Sequence, residues 1–146
     1  MGKGRSIIIG SDHAAYELKE KIKTYLINIG YSVEDAGAKN TASVNYADYG
    51  KKVAAAVSSG QYLKGILLCG TGLGMSMTAN RFPNVRAALC SDIFSAKMSR
   101  LHNDSNILVL GGRIVGDILA FELVQTWLDT EFEGGRHLER IQSIEH

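Results

Sequence analysis

Cys69 closes the apolar run Gly65-Ile66-Leu67-Leu68 and opens a loop, Gly70-Thr71-Gly72-Leu73-Gly74, with glycine at every second position. Glycines at that spacing let backbone N–H groups turn inward, and a helix starting there adds its positive end, so an anion or a developing oxyanion is stabilised. The same field favours a thiolate, which is an able base. Other reactive types stand beside glycines too: Asp12 and His13 follow Gly10-Ser11, Arg113 follows Gly111-Gly112, and Arg136 follows Gly134-Gly135. Arg140 is four residues past Arg136, on the same face if the tail is helical. Three guanidiniums suit a phosphate, which they bind in bidentate fashion. Each residue also has a plainer role: Asp12 as a helix cap, His13 as a structural imidazole at a helix start, Cys69 as a small buried hydrophobe, the arginines as a solvated tail.

Several mechanisms are disfavoured by spacing. A nucleophilic phosphatase loop needs Cys-x5-Arg, whereas Met75 lies six residues beyond Cys69 and Ala96 six beyond Cys90. No Gly-Lys-Ser/Thr ends the glycine loop as in a phosphate-binding P-loop, and its glycines at 70, 72 and 74 imitate the dinucleotide GxGxxG only weakly. Four scattered histidines and two isolated cysteines lack metal-ligand spacing.

These residues need a scaffold. Ile7 to Ile9 form a short apolar run, and Ala15, Leu18, Ile22, Leu26 and Ile29 then lay one stripe along a helix closed by Gly30. Tyr31 to Asp35 reads as a strand, and Tyr46, Tyr49, Val53 and Val57 as a helix ended by Gly60. A strand over 65–69 leads to a helix from about Leu73 to Asn80. Val85 to Cys90 leads to a helix near Ile93 to Leu101. Ile107 to Leu110 leads to a helix whose buried face is marked by Ile118, Phe121, Val124 and Leu128. Five strands alternating with helices imply a doubly wound parallel sheet in a three-layer α/β/α sandwich, because crossovers are right-handed. That winding gathers ligand-binding loops at the carboxyl ends of the strands. With His102-Asn103 in the loop before the fifth strand, Asp12, His13, Cys69, His102 and Arg113 are expected to share one cleft.

At 146 residues the chain fits one domain spanning 1–146. A formal charge of +1 gives no electrostatic footprint for nucleic acid or an anionic membrane, which leaves small ligands. Two cysteines do not make a secreted disulfide scaffold, no apolar run approaches membrane-spanning length, and the expected address is the cytoplasm. Met1-Gly2-Lys3-Gly4-Arg5-Ser6 fits the bare myristoylation pattern and Asn103-Asp104-Ser105 a glycosylation sequon. The first is discounted because Ser6 leads straight into a strand, the second because it matters only in a secreted chain.

Four separated motifs, GSDHA, ILLCGTGLGMSMTANR, SRLHNDSNILVLGGRIVG and EGGRHLERI, resemble in order the ribose-5-phosphate isomerase B family, which includes galactose-6-phosphate and allose-6-phosphate isomerases. The resemblance implies cofactor-free aldose-ketose interconversion of a phosphorylated sugar in a Rossmann-like homodimer or dimer of dimers, with the tail from about residue 131 packed on a partner subunit. It implies that Cys69 removes the proton beside the carbonyl and that His102, with Asp12, opens the ring. Thr71 and the amides of Gly70, Gly72, Leu73 and Gly74 would hold the enediolate oxygens, and Asn103 would contact the sugar. His13, Arg113, Arg136 and Arg140 would take the phosphate, the last two across the subunit boundary. Relatives lacking the cysteine carry a glutamate where this chain has Met75, so it resembles the cysteine branch. Many members read Asp-Tyr-Pro where this chain has Asn45-Tyr46-Ala47, which leaves a role for Tyr46 open.

Two other readings stand beside a ribose-5-phosphate isomerase. One is a hexose-6-phosphate isomerase, separated only by pocket depth. The other is a non-catalytic nucleotide or sugar-phosphate binding module, against which speaks the lack of an acidic ribose reader beyond Glu34-Asp35.

Overall fold

Each apolar run of the sequence becomes a strand of one all-parallel sheet, in the order β2-β1-β3-β5-β4. The computed structural model describes residues 3–145; Met1 and Gly2 of the myristoylation pattern lie outside them. In chain order the elements are β1 (Ser6–Ser11), α1 (Tyr16–Asn28), β2 (Ser32–Asp35), α2 (Tyr46–Ser58), β3 (Lys64–Cys69) and α3 (Leu73–Ala79). There follow β4 (Ala87–Leu89), α4 (Ile93–Leu101), β5 (Ile107–Gly111), α5 (Asp117–Asp129) and α6 (Arg136–Ile144). The central β1, β3 and β5 are buried on both faces, as continuous apolar runs require, whereas the edge strands β2 and β4 are partly exposed.

The strand pleat sorts the core into two layers. Ile7, Ile9, Ile66, Leu68, Leu108 and Leu110 pack against α1, α4 and α5. Ile8, Leu67, Cys69, Ile107 and Val109 point the other way, toward α2 and α3. The result is the expected three-layer, doubly wound Rossmann-like sandwich. One detail departs from expectation. The buried face of α5 is Ala120, Leu123, Val124 and Trp127, while Ile118 is 76 % exposed. Trp127 sets that rotation: its ring is fully buried and its Nε1 donates to Ser105 Oγ at 2.8 Å, so the helix turns the indole inward and Ile118 outward. Phe121 is left at the margin, stacked on Tyr25 of α1.

The parallel arrangement gives the sheet two unlike edges. At the carboxyl edge Cys69 pairs with Gly111 and Ser11 with Leu68; at the amino edge Gly65 pairs with Ile107. Helix α4 starts beside the carboxyl edge and runs back, so the residues after it lie at the amino edge. There the Gly65 amide donates to Asn106 O. The tail also packs at that end on its own chain: Glu133 N donates to Leu101 O, Glu145 pairs with Arg86 at 2.8 Å, and His137 and Ile141 are buried. No helix among the described residues is long and apolar enough to cross a membrane.

Candidate active site

At the carboxyl edge three loops are stitched together by backbone bonds. Asp12 N donates to Leu68 O at 3.2 Å, Gly112 N to Cys69 O at 2.8 Å and Arg113 N to Gly70 O at 2.9 Å. The chain turns back across β1 to enter β3, and at such a switch point the two loops diverge and leave a crevice. Asp12 is buried and its Oδ1 accepts from Ala15 N at 3.2 Å, so it does serve the turn leading into α1. His13 is half-buried; its Nδ1 accepts from Val44 N at 3.1 Å, which ties the β2–α2 loop to the site and leaves Nε2 as the position for the proton of the neutral ring.

Cys69 is 6 % exposed, and its Sγ accepts the Gly72 amide proton at 3.2 Å. Gly72 makes this bond from a left-handed conformation, φ 85°, that a side-chain-bearing residue rarely takes. Thr71 is exposed, and its Oγ1 accepts from Leu73 N at 3.2 Å. The loop amides thus converge on the thiol and on the hydroxyl beside it, the layout that quiets negative charge. The Arg113 side chain lies over Gly70: a β-carbon there would meet its Cδ at 3.6 Å and a terminal nitrogen at 3.7 Å. Tyr46, which the sequence leaves open, packs its ring directly on Gly74, where any β-carbon would collide with it.

The other predicted residues are not in this cleft. His102 caps the carboxyl end of α4, so with Asn103 it sits at the amino edge, a full strand away from Cys69 of the same chain. Five residues of β5 span roughly 16 Å. The expectation of one cleft within one chain is therefore corrected: a residue that precedes a parallel strand belongs to the opposite edge from one that follows it. The loop is held firmly there. Asp104 takes the left-handed region at φ 46°, and the buried Arg100 guanidinium donates to Asp104 Oδ1, Ser105 O and Thr130 O. Arg136 and Arg140 are exposed on α6, where both act electrostatically on His137, the ring that stacks on His102.

The amino edge also holds two residues that the sequence reading missed. His137 stacks on His102, with ring centroids 4.2 Å apart and planes 15° apart. Glu133 approaches both rings, at 4.0 Å from His102 Nε2 and 3.7 Å from His137 Nε2. Burial, and after it the His102 ring, holds the His137 imidazole below its ordinary pKa; Glu133 pulls the other way, and Arg136 and Arg140 add smaller downward pushes. The signal was present in Glu133-Gly-Gly-Arg-His137, a carboxylate and imidazole four residues apart.

A family description, Ribose/Galactose Isomerase, matches residues 7–144 of this sequence. The chain belongs to the ribose/galactose isomerase family. Among its relatives in that family, the ribose-5-phosphate isomerase B of Escherichia coli (strain K12) is 43 % identical over 140 residues, covering 96 % of this chain and 94 % of its own length. The D-erythrulose-4-phosphate isomerase of Pectobacterium atrosepticum is 41 % identical over 140 residues, 95 % of this chain and 92 % of that one. The crystal structure of a ribose 5-phosphate isomerase from Thermotoga maritima superposes with a TM-score of 0.94 at 54 % identity, over 96 % of this chain and 97 % of that chain. The family match thus reaches from β1 through α6.

Proposed function

We propose that this protein interconverts ribose 5-phosphate and ribulose 5-phosphate, and that each active site joins the carboxyl edge of one chain to the amino edge of a second copy. The observation that carries the reading is the separation itself: Cys69 with Asp12, His13, Thr71 and Arg113 at one edge, His102 with Asn103, Arg136 and Arg140 at the other. A sugar's second carbon and its ring oxygen are only a few bonds apart, so one substrate cannot span roughly 16 Å of strand. A twofold axis that sets edge against edge makes two equivalent complete sites. Exposed apolar side chains near both edges, Leu73 and Met77 on α3 and Leu138 and Ile144 on α6, support such contact.

In the open-chain aldose the Cys69 thiolate takes the C2 proton. The C2–H electron pair becomes the C1–C2 double bond, and charge moves onto the carbonyl oxygen beside Thr71 and the amides of residues 70 to 74. Returning the proton to C1, with transfer of the O2 proton to O1, gives the ketose. Aldose and ketose contain the same atoms and electrons, and the thiol gives back the proton it took, so no redox partner enters the balance. Before this, His102 with Asp12 moves a proton to the ring oxygen as its bond to C1 breaks and the anomeric hydroxyl gives up its proton to become the carbonyl, a task suited to imidazole near neutrality. Asn103 contacts the sugar. His13 and Arg113, with Arg136 and Arg140 of the second copy, hold the phosphate and fix orientation away from the reacting carbons. The reading places the reaction in the cytoplasm, where the free Cys69 and Cys90 stay reduced.

The test is turnover of ribose 5-phosphate by the purified protein, alongside allose 6-phosphate, galactose 6-phosphate and, because of the Pectobacterium relative, erythrulose 4-phosphate. Ribose 5-phosphate should be used best. Cys69→Ala should cut turnover by about 10²–10⁴-fold while a phosphorylated inhibitor still binds; turnover close to the wild-type rate removes the thiol from the role of base.

A further inference from the structure

His102, Glu133 and His137 present three ligand atoms within 4.8 Å of one another. They come from three separate places: the end of α4, the stretch before α6, and its first turn. The arrangement is more than an acidic cluster. His137 is 3 % exposed, and its Nε2 has no hydrogen-bond partner although it is aimed at the Glu133 carboxylate 3.7 Å away. A buried polar nitrogen without a partner is costly and calls for a ligand.

Donor chemistry names the class of that ligand. Two imidazoles and one carboxylate suit zinc and its neighbours among the divalent transition metals, and not magnesium or calcium, which take oxygen. Tetrahedral zinc with bonds of about 2.0–2.1 Å sets its donors about 3.3 Å apart. The carboxylate oxygens stand at 4.0 Å from His102 Nε2 and 3.7 Å from His137 Nε2, so both approaches must shorten by roughly half an ångström or more, and because imidazole lone pairs lie in the ring planes, His102 must also turn out of its stack on His137 to share an ion with it. Glu133 is 53 % and His102 40 % exposed in their side chains, so the carboxylate can close on the buried His137 ring while the His102 ring exchanges its stacking contact for the ion. Three protein ligands leave a fourth position open, as in zinc sites that bind exchangeable ligands.

We propose that His102, Glu133 and His137 form a binding site for a zinc-class divalent cation, and that occupancy inhibits the enzyme by engaging His102. The inhibitory half rests on the reading of His102 as the ring-opening group; the binding half does not. A metal-bound imidazole has no lone pair for the sugar's ring oxygen, and the ion occupies space beside it. The site would make turnover sensitive to free zinc without making zinc a cofactor.

The experiment uses full-length protein stripped with a chelator and then dialysed. Cobalt(II) titration should give visible d–d bands saturating at one ion per chain, without the near-ultraviolet charge transfer of a thiolate ligand, and zinc should displace it. The exposed Glu133→Gln should weaken cobalt binding by at least about 10-fold, and His137→Gln by more. Glu133→Gln leaves the buried packing intact, so it keeps the test decisive even if His137→Gln fails to fold. Absence of saturable binding, a thiolate band, or unchanged affinity in Glu133→Gln overturns the site. Zinc should inhibit isomerisation over the range in which it displaces cobalt, reversibly with chelator, and Glu133→Gln should shift that range upward relative to its own uninhibited rate. Binding without inhibition overturns the inhibitory half. If metal-free protein proves inactive on every sugar phosphate, the functional reading fails while the spectroscopic result stands.

Discussion

The two edges of the sheet are built from different kinds of chain. At the carboxyl edge the side chains follow strands, and their loops are stitched by backbone bonds such as Gly112 N to Cys69 O and Arg113 N to Gly70 O. At the amino edge they precede a strand or lie on the tail, and side chains fix the geometry: the Arg100 fork, the Arg86–Glu145 pair, the stack of His102 on His137. The carboxyl edge can stabilise charge with amides, and among the described residues its imidazole is the tethered His13. The amino edge has imidazoles and free guanidiniums but no thiol. Each edge supplies what the other lacks.

The largest effect should come from mixing these halves. Cys69→Ala and His102→Ala are each expected to lose about 10²–10⁴-fold in turnover, the usual worth of a general base or acid. If the site is shared, refolding the two variants together restores about a quarter of wild-type activity. Half of randomly paired dimers are then mixed, and each of those carries one intact site and one doubly defective site. Recovery that stays at the level of the separate variants breaks the comparison. Pairing Arg113→Ala with Cys69→Ala sharpens it: both lesions lie at the carboxyl edge, so no mixture contains an intact site and no rescue is expected.

Smaller losses should mark the phosphate clamp. Replacing Arg113, Arg136 or Arg140 by Ala removes a charged hydrogen bond worth about 1.5–3 kcal/mol, or roughly 10- to 150-fold in kcat/KM. The measurement is a comparison with the unphosphorylated sugar, whose slow turnover these variants should leave unchanged. Arg113→Ala should be rescued by mixing with Arg140→Ala, because those two lesions sit on opposite edges.

A local test concerns only the carboxyl edge. A β-carbon at Gly74 would fall within the Tyr46 ring, so Gly74→Ala must displace the tyrosine. Overpacking of that kind costs about 1–3 kcal/mol, read as a lower Tm and a higher denaturant midpoint for wild type. In a Tyr46→Ala background the same substitution should cost far less, and a double-mutant cycle measures the difference. Equal costs in both backgrounds would place the ring elsewhere in solution.

The strands and most helices were legible because a buried parallel strand is written as an unbroken apolar run, and Ile66-Leu67-Leu68 and Ile107 to Leu110 have no other reading of comparable economy. The carboxyl-edge residues were legible for the same reason, since Asp12, Cys69 and Arg113 each come just after such a run. The position of His102 was not. Periodicity records which residues are near a strand, but the edge depends on chain direction, and a residue five places before β5 was put with residues just after β1 and β3. Ile118 was misplaced for another reason: the α5 stripe admits two rotations by hydrophobicity, and the bond from Trp127 to Ser105, far apart in the chain, selects one. The partnership of Glu133 and His137 with His102 joins the tail to the end of α4, and no local pattern carries such a contact.

The edges should also fail at opposite ends of the pH scale. At the carboxyl edge Cys90, just past β4, is buried, and its thiol is pushed up to about 11, chiefly by burial and slightly by Asp92, against a small opposing bond with Ser99. A raised thiol pKa means that the folded chain keeps a proton that the unfolded chain releases above 9, so this contribution is whole below pH 9 and lost as pH rises toward 11. At the amino edge His137 has a lowered pKa. There the unfolded chain gains a proton that the folded chain resists, so stability is whole above the ordinary value of 6.5 and falls as pH drops below it. Chemical denaturation across pH should show both slopes. Cys90→Ala should flatten only the alkaline one, since lysines and tyrosines common to both proteins cancel in the difference, and His137→Gln only the acid one. A single variant that flattened both limbs would mean that the edges are coupled through the sheet and do not titrate as separate structures.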